Sequence, residues 1–223
     1  VGGGCCGRFA PARRVLDGVS LTARRGELFA LLGFNGAGKT TALHCAIGAC
    51  PVASGEVLVM GVSLAKDPER CRRGLAFCPQ NNPLYDVLTV EEHLRFFARL
   101  RGAAARRGPG ELLTALGLEE KRLARCSSLS GGQQRRLWVA TALLCEAPLT
   151  VLDEPTSGVD PYSRRGVWEV LHGVRSRGRS ALFTTHYLDE ADLLADRKAI
   201  LAAGGVRAQG SSSEIKRQLG AVH

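Results

Sequence analysis

Apolar positions along this chain follow two rhythms, and the change between them divides the sequence into thirds. Glu27 to Leu32 is apolar after its first residue, as expected of a strand buried on both faces. Val19 to Ala23 alternates weakly and reads as an earlier strand, ended by Gly26. Thr40 to Ala49 has helical spacing, and Gly55 to Met60 and Leu75 to Cys78 read as strands. In the middle third, Thr89 to Leu100 predicts a helix opened by a capping box, Thr89 with Glu92. The small, basic stretch 102–110 reads as a loop, after which Leu112, Leu113 and Leu116 resume a helical pattern. The last third alternates again. Leu149 to Leu152 and Ala181 to Thr184 read as strands, and Asp160 with Pro161 starts a helix. Leu188 to Ala195 is helical, Lys198 to Ala202 and Val206 to Gln209 are strands, and Ser211 with Glu214 caps a short final helix. Alternating strands and helices argue for an α/β core. The expected layout is a single domain over 1–223, with an α/β core from 1–80 and 146–223 and an inserted helical subdomain over 81–145.

Composition narrows this picture. With 223 residues and 45% hydrophobic content the chain can bury a sizeable core and does not read as a disordered tail. No apolar run approaches the ~20 residues of a membrane helix, so any link to a membrane has to come from a partner or from further sequence. The chain begins at Val1 and its only methionine is Met60, which reads as a piece of a longer polypeptide. Eight cysteines are scattered without CxxC spacing, as buried or incidental thiols of a reducing compartment would be. The formal charge of +9 comes mostly from arginines, dispersed along the chain in pairs such as Arg72–Arg73, Arg135–Arg136 and Arg164–Arg165. These read as solvated faces, and no aromatic-studded basic stripe points to nucleic acid.

Three segments carry chemistry. Gly33-Phe34-Asn35-Gly36-Ala37-Gly38-Lys39-Thr40 has the phosphate-loop spacing GxxxxGK[ST] between a predicted strand and a predicted helix. Its glycines let backbone N–H groups converge on phosphate oxygens, and the helix start adds free donors and a favourable dipole. Lys39 would neutralise β- and γ-phosphate charge and the Thr40 hydroxyl would ligate Mg²⁺, with Thr41 beside it. Leu149 to Leu152 ends in Asp153 and Glu154. Behind a phosphate loop, Asp153 suits a metal-holding role and Glu154 suits a base that accepts a proton from water. Leu129-Ser130-Gly131-Gly132-Gln133 opens a further helix with a serine cap and bare first-turn amides, which makes a second anion site. Two such sites in one chain suggest a dimer in which each nucleotide lies between one chain's phosphate loop and the other's Ser130.

In this order and spacing the motifs resemble the nucleotide-binding domain of ABC transporters, over nearly the whole chain from Phe9 to about Leu219. The resemblance implies a P-loop NTPase core, with a mainly parallel sheet flanked by helices, an antiparallel β portion and an inserted helical subdomain. It implies ATP and Mg²⁺ as cofactors and a second such domain as a head-to-tail partner. By resemblance, Gln80 links Mg²⁺ and water to the helical subdomain, and Ser157-Gly158-Val159-Asp160 crosses the dimer interface. His186 senses γ-phosphate and Phe9 stacks on adenine. Cys78 to Asp86, Leu88 to Leu94, Asp160 to Gly166 and Asp189 to Asp192 are similar to the A subfamily, the lipid exporters. This implies transmembrane domains in the parent transporter, lipid or sterol cargo handled only by that membrane part, and a place on the cytoplasmic face. The stretch Asn81 to Val87 would then face the membrane part. A soluble ABC-type ATPase of DNA repair or translation is the alternative. The interval of about ninety residues between the phosphate loop and Ser130, without sustained heptads, disfavours the repair class with its long coiled coil. A generic P-loop kinase or GTPase leaves Leu129 to Gln133 unexplained.

Overall fold

The computed structural model describes residues 14–101, 109–218 and 220. Strand β1 (Leu28–Leu32) is buried at every position. Leu28, Ala30 and Leu32 enter one core and Phe29 and Leu31 another, so its continuous apolar run serves both faces of a sheet. After it come helix α1 (Lys39–Ala46), the short strands β2 (Leu58–Val59) and β3 (Val62–Ser63), helix α2 (Pro68–Arg73) and strand β4 (Leu75–Cys78). A helical stretch follows, made of α3 (Val90–Leu100), α4 (Pro109–Ala115), two 3-10 turns (Glu119–Lys121 and Cys126–Ser128) and α5 (Gly131–Leu144). The chain then forms β5 (Leu149–Leu152), α6 (Pro161–Ser176), β6 (Ser180–Thr185), α7 (Leu188–Leu194), β7 (Arg197–Ala202), β8 (Gly205–Gly210) and α8 (Ser212–Gln218).

Six strands make one sheet in the order β4-β5-β6-β1-β7-β8, parallel throughout except for antiparallel β8. The register aligns strand ends: Cys78 pairs with Leu152, Leu152 with Phe183, and Leu32 with Thr185. The residues that follow β1, β4, β5 and β6 therefore emerge at one edge of the sheet. On one face, β1, α3, α5, α6 and α7 share a single hydrophobic core that includes Leu94, Leu137, Val167 and Leu194. On the other, Leu43 of α1 and Cys71 of α2 pack with Val59, Leu75 and Val151.

Two strand expectations differ from the structure. Val19 to Ala23 forms no strand. Val19 and Leu21 lean on the core around Phe29 and Leu31, so the alternation records one-sided burial without a paired ladder. Gly55 to Met60 contributes only Leu58–Val59, which turns back at once through Met60 (φ 51°) and Gly61 (φ 78°), the two left-handed residues of a tight hairpin. Among the described residues the antiparallel ladders are this hairpin and β7–β8. Of the expected loop 102–110, residues 102–108 lie outside the described part, and Pro109 and Gly110 already belong to α4. The capping boxes at Thr89 and Ser130 form as expected. Six cysteines of the described residues are free thiols, three of them buried. Among the described residues no helix is long and apolar enough to cross a membrane.

His93 sits fully buried in α3, its ring 4.8 Å from that of Phe97 and 5.7 Å from that of Trp138. Its Nε2 has no hydrogen-bond partner, and burial pulls its pKa down to about 4. The unfolded chain binds this proton near pH 6.5, whereas the folded chain does so only near 4, so His93 favours unfolding progressively across that window. Urea unfolding midpoints of the parent chain should fall from pH 6.5 to pH 4 more steeply than those of His93→Phe. Parallel curves for the two proteins would remove His93 as a source of the slope.

Candidate active site

Gly33 to Thr40 bridges β1 and α1. Gly36 (φ 80°) and Gly38 (φ 103°) hold left-handed conformations that let the loop curl, and a Cβ on Gly33 would stand 2.5 Å from the Leu201 carbonyl oxygen. The Lys39 side chain is buried and donates to the carbonyls of Gly33 (2.7 Å) and Phe34 (3.3 Å) across the loop. A cavity of about 280 Å³ opens here, lined by Asn35, Gly36, Gly38, Lys39, Thr40 and Thr41 of the loop with Val15, Gln80 and Glu154 opposite. Ala37 is buried behind the loop. A larger cleft of about 530 Å³ lies between Arg24, Arg197 and α8 and shares no residue with it. The smaller one collects the groups able to act on a phosphate, so it is taken as the site.

Two carboxylates end β5 beside this cavity. Glu154 holds φ 49°, a conformation that strains a residue with a side chain. Its N–H donates to Thr184 Oγ1 (2.8 Å), which in turn donates to Asp153 Oδ1 (2.6 Å). The Glu154 carboxylate lies 3.7 Å from Lys39 Nζ and 3.5 Å from His186 Nδ1, and accepts from Gln80 Nε2 at 3.4 Å. Gln80, Lys39, Glu154 and His186 come from four separate segments, and the aligned strand ends bring them together. Asp153 Oδ2 is buried and has no hydrogen-bond partner. A buried carboxylate oxygen left open, together with the Thr40 hydroxyl and the Gln80 amide oxygen of the cavity wall, would make an oxygen-only donor set suited to a hard divalent cation.

Ser130, Gly131, Gly132 and Gln133 do not line this cavity. They form an exposed turn in which Ser130 Oγ accepts from Gln133 N–H (3.3 Å) and Gln133 Oε1 accepts from Ser130 N–H (2.9 Å). Gly132 packs on the next loop, where a Cβ would lie 3.0 Å from the Gly158 carbonyl oxygen. Asp160 caps α6 by accepting from Ser163 N–H (2.9 Å), and that bond holds its carboxyl below the usual range. Phe9 lies outside the described residues.

One residue of consequence differs from its expected place on a solvated face. Arg135 is buried, and its guanidinium donates to the carbonyls of Pro79 (2.6 Å), Gln80 (3.2 Å), Glu154 (3.1 Å) and Asp153 and to Asn82 Oδ1 (3.1 Å). Its neighbour Arg136 donates to the Leu116 (2.6 Å) and Gly117 (3.2 Å) carbonyls and is also only partly exposed. The pair does not share one solvated face, because a helix turns adjacent positions to different faces. Every position of α5 from Leu137 to Leu144 is buried, so no apolar stripe in the sequence marks which of the two arginines turns inward. Thr150 of β5 is fully buried with an unpartnered hydroxyl.

The ABC transporter family model matches residues 16–157. The phospholipid-transporting ATPase ABCA3 of Rattus norvegicus is 44% identical over 206 residues, which cover 91% of this chain and 12% of the rat protein. The retinal-specific phospholipid-transporting ATPase ABCA4 of Homo sapiens is 44% identical over 218 residues, 96% of this chain and 9% of that protein. The chain therefore spans about a tenth of the length of these relatives. Among solved structures, an ATP-binding subunit of an ABC transporter superposes with a TM-score of 0.86 at 35% identity, covering 95% of this chain and 89% of that one. The dimeric bacterial ABC transporter cassette MJ0796 superposes with a TM-score of 0.79 at 26% identity, covering 88% and 90%. A post-hydrolysis form of it with ADP and phosphate gives 0.78 at 25% identity, with the same coverage.

The Thr184 hydroxyl ties the Asp153 carboxylate to the backbone N–H of Glu154. Thr184→Val removes its hydroxyl with little change of shape and leaves the Glu154 N–H unpaired in the interior. The expected loss is about 1–3 kcal/mol of stability, read from denaturant unfolding. An unfolding midpoint equal to the parent's would show that the hydroxyl does not hold this turn.

Proposed function

Since this chain belongs to the ABC transporter family and is an ATP-hydrolysing domain of that kind, we propose that it works at the cavity behind Gly33 as the motor of a lipid-moving membrane transporter. The observation that carries this reading is the Glu154 carboxylate held among Lys39, Gln80 and His186 at the mouth of the phosphate loop.

In the proposed cycle the amides from Gly33 to Thr41 and the Lys39 ammonium bind the β- and γ-phosphates of ATP, and Phe9 stacks on the adenine. Thr40, Gln80 and Asp153 supply oxygen donors for a magnesium ion, which when bound neutralises charge on the transferring phosphoryl group. Glu154 accepts a proton from the attacking water as its oxygen bonds the γ-phosphorus in line, the bond from that phosphorus to the β–γ bridging oxygen breaks and ADP leaves, while His186 steadies the water and the γ-phosphate oxygens. Most of the acceleration comes from prepositioned charge and donors, as for phosphoryl transfer generally. The exposed Ser130 turn, with Gly131, Gly132 and Gln133, closes on the nucleotide of a second domain, and the 157–160 loop lies beside it in that interface. The dimeric structures of MJ0796 support such a pairing.

The transport reading rests on relatives that are phospholipid-transporting ATPases. The chain would sit at the cytoplasmic face, with 81–145 as the helical subdomain and cargo touched only by the membrane part. Tyr85 and Val87 are exposed in the stretch proposed to face that part. A role in translation or DNA repair finds no counterpart among these relatives.

Glu154→Gln should retain ATP binding, followed with a fluorescent nucleotide, while phosphate release falls by about 10²-fold or more. Near-normal release by that variant would refute the base assignment.

A further inference from the structure

Arg135 is large, charged and fully buried, yet its hydrogen-bond partners are four backbone carbonyls and one side-chain amide. These partners are not scattered. Pro79, Gln80 and Asn82 follow β4, and Asp153 and Glu154 follow β5. We propose that Arg135 is a positioning residue for hydrolysis: it sets the Gln80 segment and the Glu154 turn relative to each other and to the Ser130 helix. This rests on the reading of Glu154 as the base.

The geometry is demanding. Glu154 is in a left-handed conformation that its side chain disfavours, so something outside it must hold the turn. Thr184 takes its N–H. Arg135 takes the two carbonyls on either side of its α-carbon, those of Asp153 and Glu154, which fixes both peptide planes. The opposite edge of the same planar fork takes the Pro79 and Gln80 carbonyls, which sets how far the Gln80 amide stands from the Glu154 carboxylate. A guanidinium can serve both edges at once because its five N–H groups are rigidly coplanar. A lysine ammonium offers three donors from one point and cannot span them. Arg135 also lies on the second turn of α5, whose first turn carries Gly131 and Gly132. A shift of that helix is thereby transmitted to Glu154 and Gln80 together, so the turn offered to one nucleotide is tied to the base that acts on the other.

The test uses the whole chain, with Arg135→Lys, Asn82→Ala and Glu154→Gln measured side by side for ATP turnover against ATP concentration, for thermal unfolding, and for amide exchange over 150–157. Arg135→Lys is expected to lower kcat by about 10²-fold with KM within about twofold, because a base displaced by an ångström loses that much. Its amides over 150–157 should exchange faster. Asn82→Ala, which removes a single partly exposed acceptor, should lower kcat by about fivefold without moving the melting temperature. The proposal is overturned if both variants fold and turn over at the parent rate while Glu154→Gln is inactive. It is equally overturned if Arg135→Lys fails to fold and Asn82→Ala keeps the parent rate, since the arginine would then only hold the fold. Turnover retained by Glu154→Gln would instead count against the base, whatever the arginine variants do.

Discussion

The parallel pairing of β4, β5, β6 and β1 is the constraint on which the site depends. Hydrogen bonds between parallel strands fix which residues stand level, and here Cys78, Leu152 and Phe183 stand in one row while Leu32 is level with Thr185. Each strand then delivers its next residues to the same edge: the phosphate loop after Leu32, Gln80 after Cys78, the two carboxylates after Leu152 and His186 after Thr185. Parallel sheets place ligand sites at the carboxyl ends of their strands for this reason. The apolar run of β1, buried on both faces, anchors the row in the middle of the sheet.

Collecting charge at such an edge is opposed by desolvation. Lys39, Asp153, Glu154 and Arg135 are all nearly inaccessible to water, and isolated buried charges are strongly unfavourable. The site offsets this in pairs and with dipoles. Lys39 faces Glu154 and two loop carbonyls, Asp153 is bonded by Thr184, and Arg135 is surrounded by carbonyl oxygens. The same low-dielectric setting strengthens each of these interactions for chemistry on a phosphate. Backbone strain at Glu154 is held in place by Thr184 from one side and Arg135 from the other.

The chain thus presents two surfaces of different kind. The cavity at the strand ends opens to solvent past Asn35, Gly36 and Gln80, and the buried Asp153 Oδ2 oxygen at the end of β5 has no hydrogen-bond partner. The Ser130 turn is exposed, its cap hydrogen bonds already made within the chain, and Gly132 approaches the 158 carbonyl closely enough that a Cβ there would crowd it at 3.0 Å. The open cavity and the exposed turn are joined through one buried arginine.

Local pattern determined a good deal. The phosphate loop between β1 and α1, the carboxylate pair after β5, the capping boxes at Thr89 and Ser130 and the alternation of an α/β core all follow from residues close together in the sequence, because caps, turns and buried strands are short-range matters. Strands that pair were not separable from a segment that merely packs on one side, since both alternate, and so Val19 to Ala23 looked like a strand. Nor could spacing disclose which of two adjacent arginines turns inward. Which strand lies beside which, that Glu154 stands 3.7 Å from Lys39, and that Arg135 spans the ends of β4 and β5 are contacts between residues far apart in the chain. Only the tertiary structure decided them, because parallel register and helix rotation are set by the packing of the whole core and by no single segment of it.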